Sequence, residues 1–308
     1  MIDAGIGIVF QVHHMLVVNK PAGLVIHPTY KHANGTMWDE LLEYLAQQEG
    51  DDWQPVELAD EAGWEHAPPQ VREMLRQRQI ERQWKEEGLL PRPCLLHRID
   101  KDTSGVVALA RTERARRHII RQFHEHSIVK RYLAIVGKGA PAWAEPQTTF
   151  TIKRRWEDGD EEILDADTIF DEGDGGEYVL EGALQRDPGE RRRCIVGAEG
   201  QEATTVVKTL TSENGYTLLE VRPITGRTHQ IRGHLAALGY AIIGDPVYGV
   251  DMSSEEMTLT RQFLHAHSLT LRTYPENVSR TFMAPLANDL VFWLNHYFPK
   301  AASLLKDE

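Results

Sequence analysis

The sequence predicts an α+β protein in which amphipathic helices accompany a larger number of short strands. Alternating and continuous apolar segments of strand length recur along the chain, and Asn214-Gly215 is a strong hairpin signal between two of them. Helical periodicity with recognisable start and stop residues separates these segments. The 308 residues, of which 41% are hydrophobic, are sufficient for a large core.

The predicted strands are distributed over the whole chain. Two strands fit residues 6–18, with a connection near His13-His14, and a further short strand is expected at 24–26. Apolar runs of strand length predict the remaining strands at 106–110, 129–137, 191–196, 203–210, 216–221 and 263–271.

The predicted helices have plausible caps. Thr36 begins a helix that extends to about residue 48, and a helix over 68–87 begins with Pro and ends at Gly88. The second of these is either a solvated amphipathic helix or an arm that contacts RNA. Further helices are expected at 112–126, 228–238 and 289–305.

Charge is distributed unevenly. The formal net charge of −12 argues at first against a polyanionic partner. Eight acidic residues lie within 43–65 and twelve within 157–181, however, and neither segment contains Lys or Arg; without them the chain carries +8. The remainder is therefore able to bind RNA.

The acidic segments are interpreted as solvated insertions, about 46–92 and 140–182, and the second of these is expected to be partly ordered at best. The alternatives are a docking surface for a protein and a surface that repels the wrong RNAs.

The cysteine content and the hydropathy of the chain indicate in which cellular compartment the protein is expected. Cys94 and Cys194 are the only cysteines, and they lack the spacing of a metal site. The chain has no run of 18 apolar residues and no signal-peptide profile. Reduced thiols in a cytoplasmic protein are the simplest interpretation.

Two polar segments are candidates for chemistry. Asp100 follows His97 and Arg98 on a loop, and a Thr-Ser-Gly turn and a buried strand come next, so its carboxylate is rigidly mounted. Taken alone, an Asp that caps its own turn explains this pattern at least as well. The helix over 228–238 begins among arginines, which oppose the helix dipole, and such a conflict indicates a functional site. The polar residues at this start are Arg227, Thr228, His229, Gln230, Arg232 and His234.

Six segments, taken in order, resemble the motifs of the RluA-type RNA pseudouridine synthases. The resemblance covers most of 12–36, 94–139 and 185–285, and six motifs in series are far more specific than one. The segments are Asn19–Pro28, His97–Gly105, Lys130–Ala134, Thr225–Arg232, Gly244–Gly249 and Leu264–Ala266.

The resemblance implies one catalytic domain over 1–308. Its expected core is a long, mixed, mostly antiparallel sheet, bent across two subdomains and flanked by helices, with the cleft along the middle and two acidic insertions. The implied reaction converts uridine to pseudouridine in structured RNA, either rRNA or tRNA, without a cofactor or metal, and we expect a monomer. Only about a dozen residues precede the first motif, so the small RNA-binding domain that many relatives carry there is not expected.

The resemblance also implies roles for individual residues. Asp100 corresponds to the catalytic aspartate and Tyr132 to the active-site tyrosine, which can stack on the base and help to move a proton. Arg227 is the better match for the arginine that pairs with the aspartate, and Arg232 is the second candidate. The expected RNA-binding residues are Arg98, which is linked in the family to base flipping, together with His97, Lys20, Lys130, His229 and Arg232.

Asp100 suits this chemistry because a carboxylate can add to the base or to the anomeric carbon and later leave, and an arginine within about 4–6 Å keeps it charged. Two other functions compete. A non-catalytic RNA-binding or RNA-chaperone module on the same fold would require a lost nucleophile. A carboxylate-based hydrolase would require a second positioned carboxylate or a metal set.

Overall fold

Short strands make up most of the regular structure in the computed structural model, which describes residues 5–28, 34–48, 53–55, 59, 61, 63–138, 150–156, 159–164, 177–249 and 259–305. The strands are β1 (Gly7–Gln11), β2 (Met15–Lys20), β3 (Leu89–Leu95), β4 (Ser104–Thr112), β5 (Val129–Lys138), β6 (Thr151–Arg155), β7 (Glu161–Ile163), β8 (Glu177–Glu181), β9 (Leu184–Arg186), β10 (Cys194–Val196), β11 (Thr204–Glu213), β12 (Tyr216–Pro223), β13 (Tyr240–Ile242), β14 (Leu264–Arg272) and β15 (Ser279–Met283). The helices are α1 (Met37–Ala46), α2 (Pro69–Glu87), α3 (Glu113–His124), α4 (Gln230–Ala237), α5 (Asn288–Tyr297) and α6 (Pro299–Leu304).

Thirteen of these strands form one mixed sheet, whose main path runs β1-β2-β4-β14-β5-β12-β11-β8-β6-β7. β3, β13 and β15 pair with β4, β5 and β14 outside this path, and β9 and β10 form a separate hairpin. Within the described strands, β4 and β14 pair in parallel and the other pairs are antiparallel. The mostly antiparallel sheet predicted from the sequence is therefore present.

The central strand β4 is buried along its length and serves two apolar cores. Val107 and Leu109 belong to the larger core, which also includes residues of α1, α4, α5 and α6. Val106 and Ala108 belong to the smaller core, which includes Ile119 of α3. Because successive side chains of a strand point to opposite faces, α3 covers the other face of the sheet.

The predicted helix starts agree with the observed caps. Thr36 forms a capping box with Asp39 at the start of α1, and Thr112 accepts a hydrogen bond from the Ala115 amide at the start of α3. The tail is helical as predicted, with an interruption at Phe298 between α5 and α6.

Three segments differ from the sequence prediction. The expected strand at 24–26 is absent; the carbonyls of Val25 and Ile26 instead accept hydrogen bonds from the first amides of α1. Residues 89–93, for which the sequence analysis predicts no strand, are part of β3, an edge strand whose irregular pairing accommodates its two prolines. The segment 140–182 contributes β6, β7 and β8 to the main sheet.

The described acidic residues of that segment are partly neutralised by cations of β6. Lys153 lies 2.9 Å from Glu181, and Arg155 lies 2.8 Å from Glu161. Arg155 and Glu161 are directly opposite each other in the local pairing of β6 with β7, whereas the longer-range pairing of β6 with β8 brings Lys153 near Glu181. Among the described residues, no helix combines the length and the apolar character that crossing a bilayer would require.

Gly105 permits the parallel contact between β4 and β14. Its φ is +119°, and a β-carbon there would lie 2.2 Å from the carbonyl oxygen of Ala266. We expect Gly105→Ala to lower the free energy of unfolding by about 2–4 kcal/mol, through backbone strain and steric overlap. Urea denaturation measures the free energy of unfolding. Gly23→Ala is the matched control, because Gly23 has φ +81° but a β-carbon there would have nothing within 4 Å. A loss of stability in Gly23→Ala as large as in Gly105→Ala would contradict the steric explanation.

Two buried histidines predict a dependence of stability on pH. His234 bonds to Thr205 and Gly182, His265 bonds to Ser104 and Ala284, and burial lowers the pKa of each to about 4. Each folded-state pKa lies below the unfolded value of about 6.5, so the unfolded chain binds more protons between these two values. The free energy of unfolding should therefore fall by about 1.4 kcal/mol per pH unit and per histidine as the pH decreases from about 6.5 to about 4.

Urea titrations at several pH values test this dependence. His265→Gln should reduce the slope of stability against pH, whereas the control His124→Gln, at an exposed position, should leave it unchanged. Equal slopes for the wild type and His265→Gln would contradict the prediction.

Candidate active site

A cleft of about 740 Å³ collects most of the polar residues that the sequence singled out. Its walls are formed by the loop that follows β3, by the first half of β5, and by the segment between β12 and α4. Asp100, Tyr132 and Arg232, which are far apart in the sequence, therefore line the same cavity.

Asp100 lies in this cleft against the guanidinium of Arg232. Nη1 of Arg232 donates a 2.9 Å hydrogen bond to Oδ2 of Asp100. The Arg232 side chain is 5% exposed and that of Asp100 is 27% exposed, so the arginine is the buried member of the pair. The carboxylate is thus charge-paired on one side and open to the cleft on the other.

A second carboxylate holds Arg232 in place. Nε and Nη2 of Arg232 donate to the two oxygens of Asp245 at 2.7 and 2.9 Å. Asp245 is fully buried and also accepts the amides of Val247 and Tyr248. Burial alone would lower the pKa of Arg232, but its bonds to Asp245 and the charges of both carboxylates raise it above the ordinary value. The guanidinium is consequently a permanent, fixed cation.

Arg227 does not pair with Asp100, contrary to the preferred assignment from the sequence. Its side chain is exposed, and its Nε donates to the carbonyl of Glu202 at 3.0 Å. α4 begins at Gln230, so Arg227 precedes the helix, whereas Arg232 lies on its buried first turn. The signal that distinguishes the two arginines is Asp245, whose role as a counter-ion the sequence analysis did not recognise.

Lys20 is also placed differently from the prediction of an RNA contact. It is fully buried, and its ammonium donates to the carbonyls of Pro21, Leu24 and Lys101 at 2.7, 3.0 and 2.8 Å. Burial lowers the pKa of Lys20 to about 7, while the nearby charge of Asp102 opposes this shift. Lys20 ties the loop after β2 to the loop that carries Asp100.

Three other predicted residues line the cleft. Nε2 of His97 accepts the amide of Ala108, and burial lowers the pKa of His97 to about 3, so the ring is neutral. Lys130 donates to the carbonyl of Thr225 at 2.9 Å, and burial lowers its pKa to about 8. Arg98 is exposed at the rim.

Tyr132 lies on β5, where it pairs across the sheet with Val221 and Ala266. The side chain is 8% exposed, and the cleft reaches it. Burial raises the pKa of Tyr132, and the charge of Asp100 raises it further. The phenol therefore keeps its proton at neutral pH.

His229 immediately precedes α4 with a left-handed backbone, at φ 55° and ψ 21°. Its Nε2 lies 3.8 Å from Oδ2 of Asp100, and its Nδ1 lies 3.3 Å from the hydroxyl of Tyr248. The Tyr248 ring is beneath Arg232, whose guanidinium carbon is 5.1 Å from the ring centroid. The motif around Asp245 and Tyr248 therefore supports both residues that contact Asp100.

Comparisons with known proteins place the chain in one family. A family model described as RNA pseudouridylate synthase matches residues 14–237. An uncharacterized RNA pseudouridine synthase of Chloroflexus aurantiacus is 31% identical over 92% of this chain and 67% of its own length. Ribosomal large subunit pseudouridine synthase D of Zymomonas mobilis is 29% identical over 87% of this chain and 65% of its own length. The chain thus spans about two thirds of the length of each of these two relatives.

A solved structure has the same fold. Human RNA Pseudouridylate Synthase Domain Containing 4 superimposes with a TM-score of 0.54 at 22% identity, over 94% of this chain and 92% of the human one. The family match covers well over half of the chain and includes Asp100, Tyr132 and Arg232. The chain therefore belongs to the RNA pseudouridylate synthase family, of the RluA type, whose members isomerise uridine to pseudouridine in RNA.

Proposed function

We propose that this chain converts specific uridines of a structured RNA to pseudouridine, with Asp100 as the nucleophile. Large-subunit ribosomal RNA is the first candidate substrate, because several relatives are named for it, and tRNA is the second. The observation that carries the proposal is the pairing of Asp100 with Arg232 at 2.9 Å, in a cleft with room for a nucleotide.

The partial exposure of Asp100 supports its role as the nucleophile. Arg232 bonds to Oδ2, and within the described part of the chain Oδ1 accepts no hydrogen bond. A carboxylate that is held at one oxygen and open at the other is fixed in direction and still able to attack. The ion pair with the buried guanidinium also fixes the orientation of the carboxylate in the cleft.

The cleft also supports base flipping. Extrusion of a nucleotide costs a few kcal/mol, and stacking on an aromatic ring offsets part of that cost. Tyr132 offers such a ring beside Asp100, and Arg98 at the rim can occupy the space that the base leaves or contact a phosphate. Lys130, His97 and His229 complete the proposed nucleotide pocket, while Lys20 and Arg232 act from behind it.

The proposed reaction is a redox-neutral isomerisation for which Asp100 supplies the nucleophile, and we expect it to proceed without a cofactor. One copy of the chain contains the whole proposed site, and the cytoplasm is the proposed compartment. A purely RNA-binding role is not favoured, because its prerequisite is a lost nucleophile and the charge-paired Asp100 is present.

Asp100→Asn tests the nucleophile. The amide preserves the shape of the side chain but not its charge, so turnover should fall by about 10³-fold or more while RNA affinity is retained. Release of tritium from RNA labelled at carbon 5 of uridine measures turnover, with large-subunit rRNA and tRNA as separate substrates. Mapping of pseudouridines in cells that lack the protein identifies the target, and turnover retained by Asp100→Asn would overturn the assignment.

The two arginines can be separated by parallel substitutions. Arg232→Lys keeps a positive charge but cannot reproduce the planar guanidinium contact, in which three separate nitrogens bond to Asp100 and Asp245, so kcat should fall by about 10²-fold through misplacement of Asp100. Arg227→Lys should change kcat at saturating RNA by less than about threefold, since Arg227 contacts the Glu202 carbonyl and not the carboxylate. The reverse order of effects would restore Arg227 as the partner of Asp100.

A further inference from the structure

His229 has one ring nitrogen bonded to the protein and the other facing the cleft. Nδ1 lies 3.3 Å from the Tyr248 hydroxyl, and Nε2 lies 3.8 Å from the Asp100 carboxylate. The side chain is 18% exposed and lines the cavity. This arrangement differs from that of His97, whose Nε2 is occupied by a backbone amide.

The hydrogen bonds of Tyr248 determine where the proton of His229 resides. The Tyr248 hydroxyl donates to the carbonyl of Cys194 at 2.8 Å and accepts the amide of Cys194 at 2.6 Å. A phenol has one proton, and the 2.8 Å contact with the Cys194 carbonyl is shorter than the 3.3 Å contact with His229, so we assign the proton to the Cys194 bond and the donor role at the other contact to Nδ1 of His229. Assigned in this way from the network, the neutral ring carries its lone pair on Nε2, which faces Asp100 and the cleft.

The backbone of His229 sets the direction of its ring. Its φ of 55° lies in the left-handed region, which it shares with His126, Asn214 and Asn277 among the described residues other than glycine. His229 is the N-cap of α4, and its carbonyl accepts the amide of Gly233 at 2.7 Å. The left-handed turn directs the imidazole toward the cleft.

The isomerisation proposed above requires a base at a late step. In the route through the anomeric carbon, carbon 5 of the rotated uracil bonds to C1′ with its C5–C6 π electrons, the N1 lone pair forms a C6–N1 double bond, and the bond between C1′ and the Asp100 carboxylate breaks. Carbon 5 then still carries its hydrogen. When a base removes this proton, the C5–H electron pair becomes the C5–C6 double bond, the electron pair of the C6–N1 double bond moves onto N1, and N1 takes up a proton. Asp100 serves as the nucleophile in this scheme, and Tyr132 retains its own proton.

We infer that Nε2 of His229 is the base that takes the proton from carbon 5 and returns it to N1, directly or through water. The inference rests on the proposed function and deepens it. Asp100, 3.8 Å away, stabilises the imidazolium that forms in between.

The charges around the ring are compatible with this role. Burial lowers the pKa of His229, the negative charge of Asp100 opposes this shift, and Arg232, Asp245 and Arg186 contribute smaller effects. The ring is therefore neutral and able to accept a proton at pH 7.

His229→Gln tests the inference, because glutamine can donate to Tyr248 but is not a base at neutral pH. We expect kcat to fall by about 10²–10³-fold with RNA affinity unchanged. RNA that contains uridine deuterated at carbon 5 should give a larger kinetic isotope effect with the variant than with the wild type, because C–H cleavage becomes rate-limiting. The acidic limb of the pH–rate profile should disappear in the variant.

Chemical rescue distinguishes a base from a structural support. His229→Gly accepts the left-handed backbone without strain and removes the ring, and added imidazole should restore at least a tenfold gain in turnover with the pH dependence of free imidazole. His126→Gly is the matched control, since His126 also has a left-handed backbone (φ 52°) but is exposed and bonds to the Ile224 carbonyl. Its turnover should equal that of the wild type and should not respond to imidazole.

Three outcomes overturn the inference while the proposed function stands: normal kcat in His229→Gln, an unchanged isotope effect, or no rescue of a folded His229→Gly that binds RNA. Active wild type together with inactive Asp100→Asn establishes the proposed function independently. If the wild type forms no pseudouridine, or if Asp100→Asn is active, the proposed function itself fails.

Discussion

The buried guanidinium of Arg232, shared between Asp100 and Asp245, is the interaction on which the site depends. A single buried ion pair is costly to desolvate, and its geometry must be good for the attraction to offset that cost. Asp245 is fully buried and bonds to two arginine nitrogens and two backbone amides, so it meets this condition. Asp100 can then remain partly exposed, because the orientation of the cation does not depend on it.

The sheet brings the parts of this cluster together. The loop with Asp100 leads into β4, which pairs in parallel with β14, and β14 in turn pairs with β5, the strand of Tyr132. Gly105 makes the close approach of β4 and β14 possible, and Lys20 fastens the neighbouring loop through three carbonyls. The two most buried basic side chains near Asp100, Lys20 and Arg232, therefore act as structural supports for the loop and for the carboxylate.

Asp100 is accordingly surrounded by groups with different protonation behaviour. Arg232 is a fixed cation, Tyr132 a protonated phenol and His97 a neutral ring that is already bonded to an amide. His229 is the neighbour whose free nitrogen faces the carboxylate.

The sequence by itself determined the local features: the helix caps at Thr36 and Thr112, most of the strands, and the loop of Asp100, because each depends on neighbouring residues. Its series of motifs was also sufficient to identify the family. Only the tertiary structure decided that Arg232 and not Arg227 meets Asp100, that Lys20 is buried, and that the acidic segment contributes strands to the main sheet. These outcomes depend on non-local contacts, namely the phase of α4 relative to Asp245, the packing of two loops and the pairing of distant strands, and such contacts are not encoded in the spacing of residues along the chain.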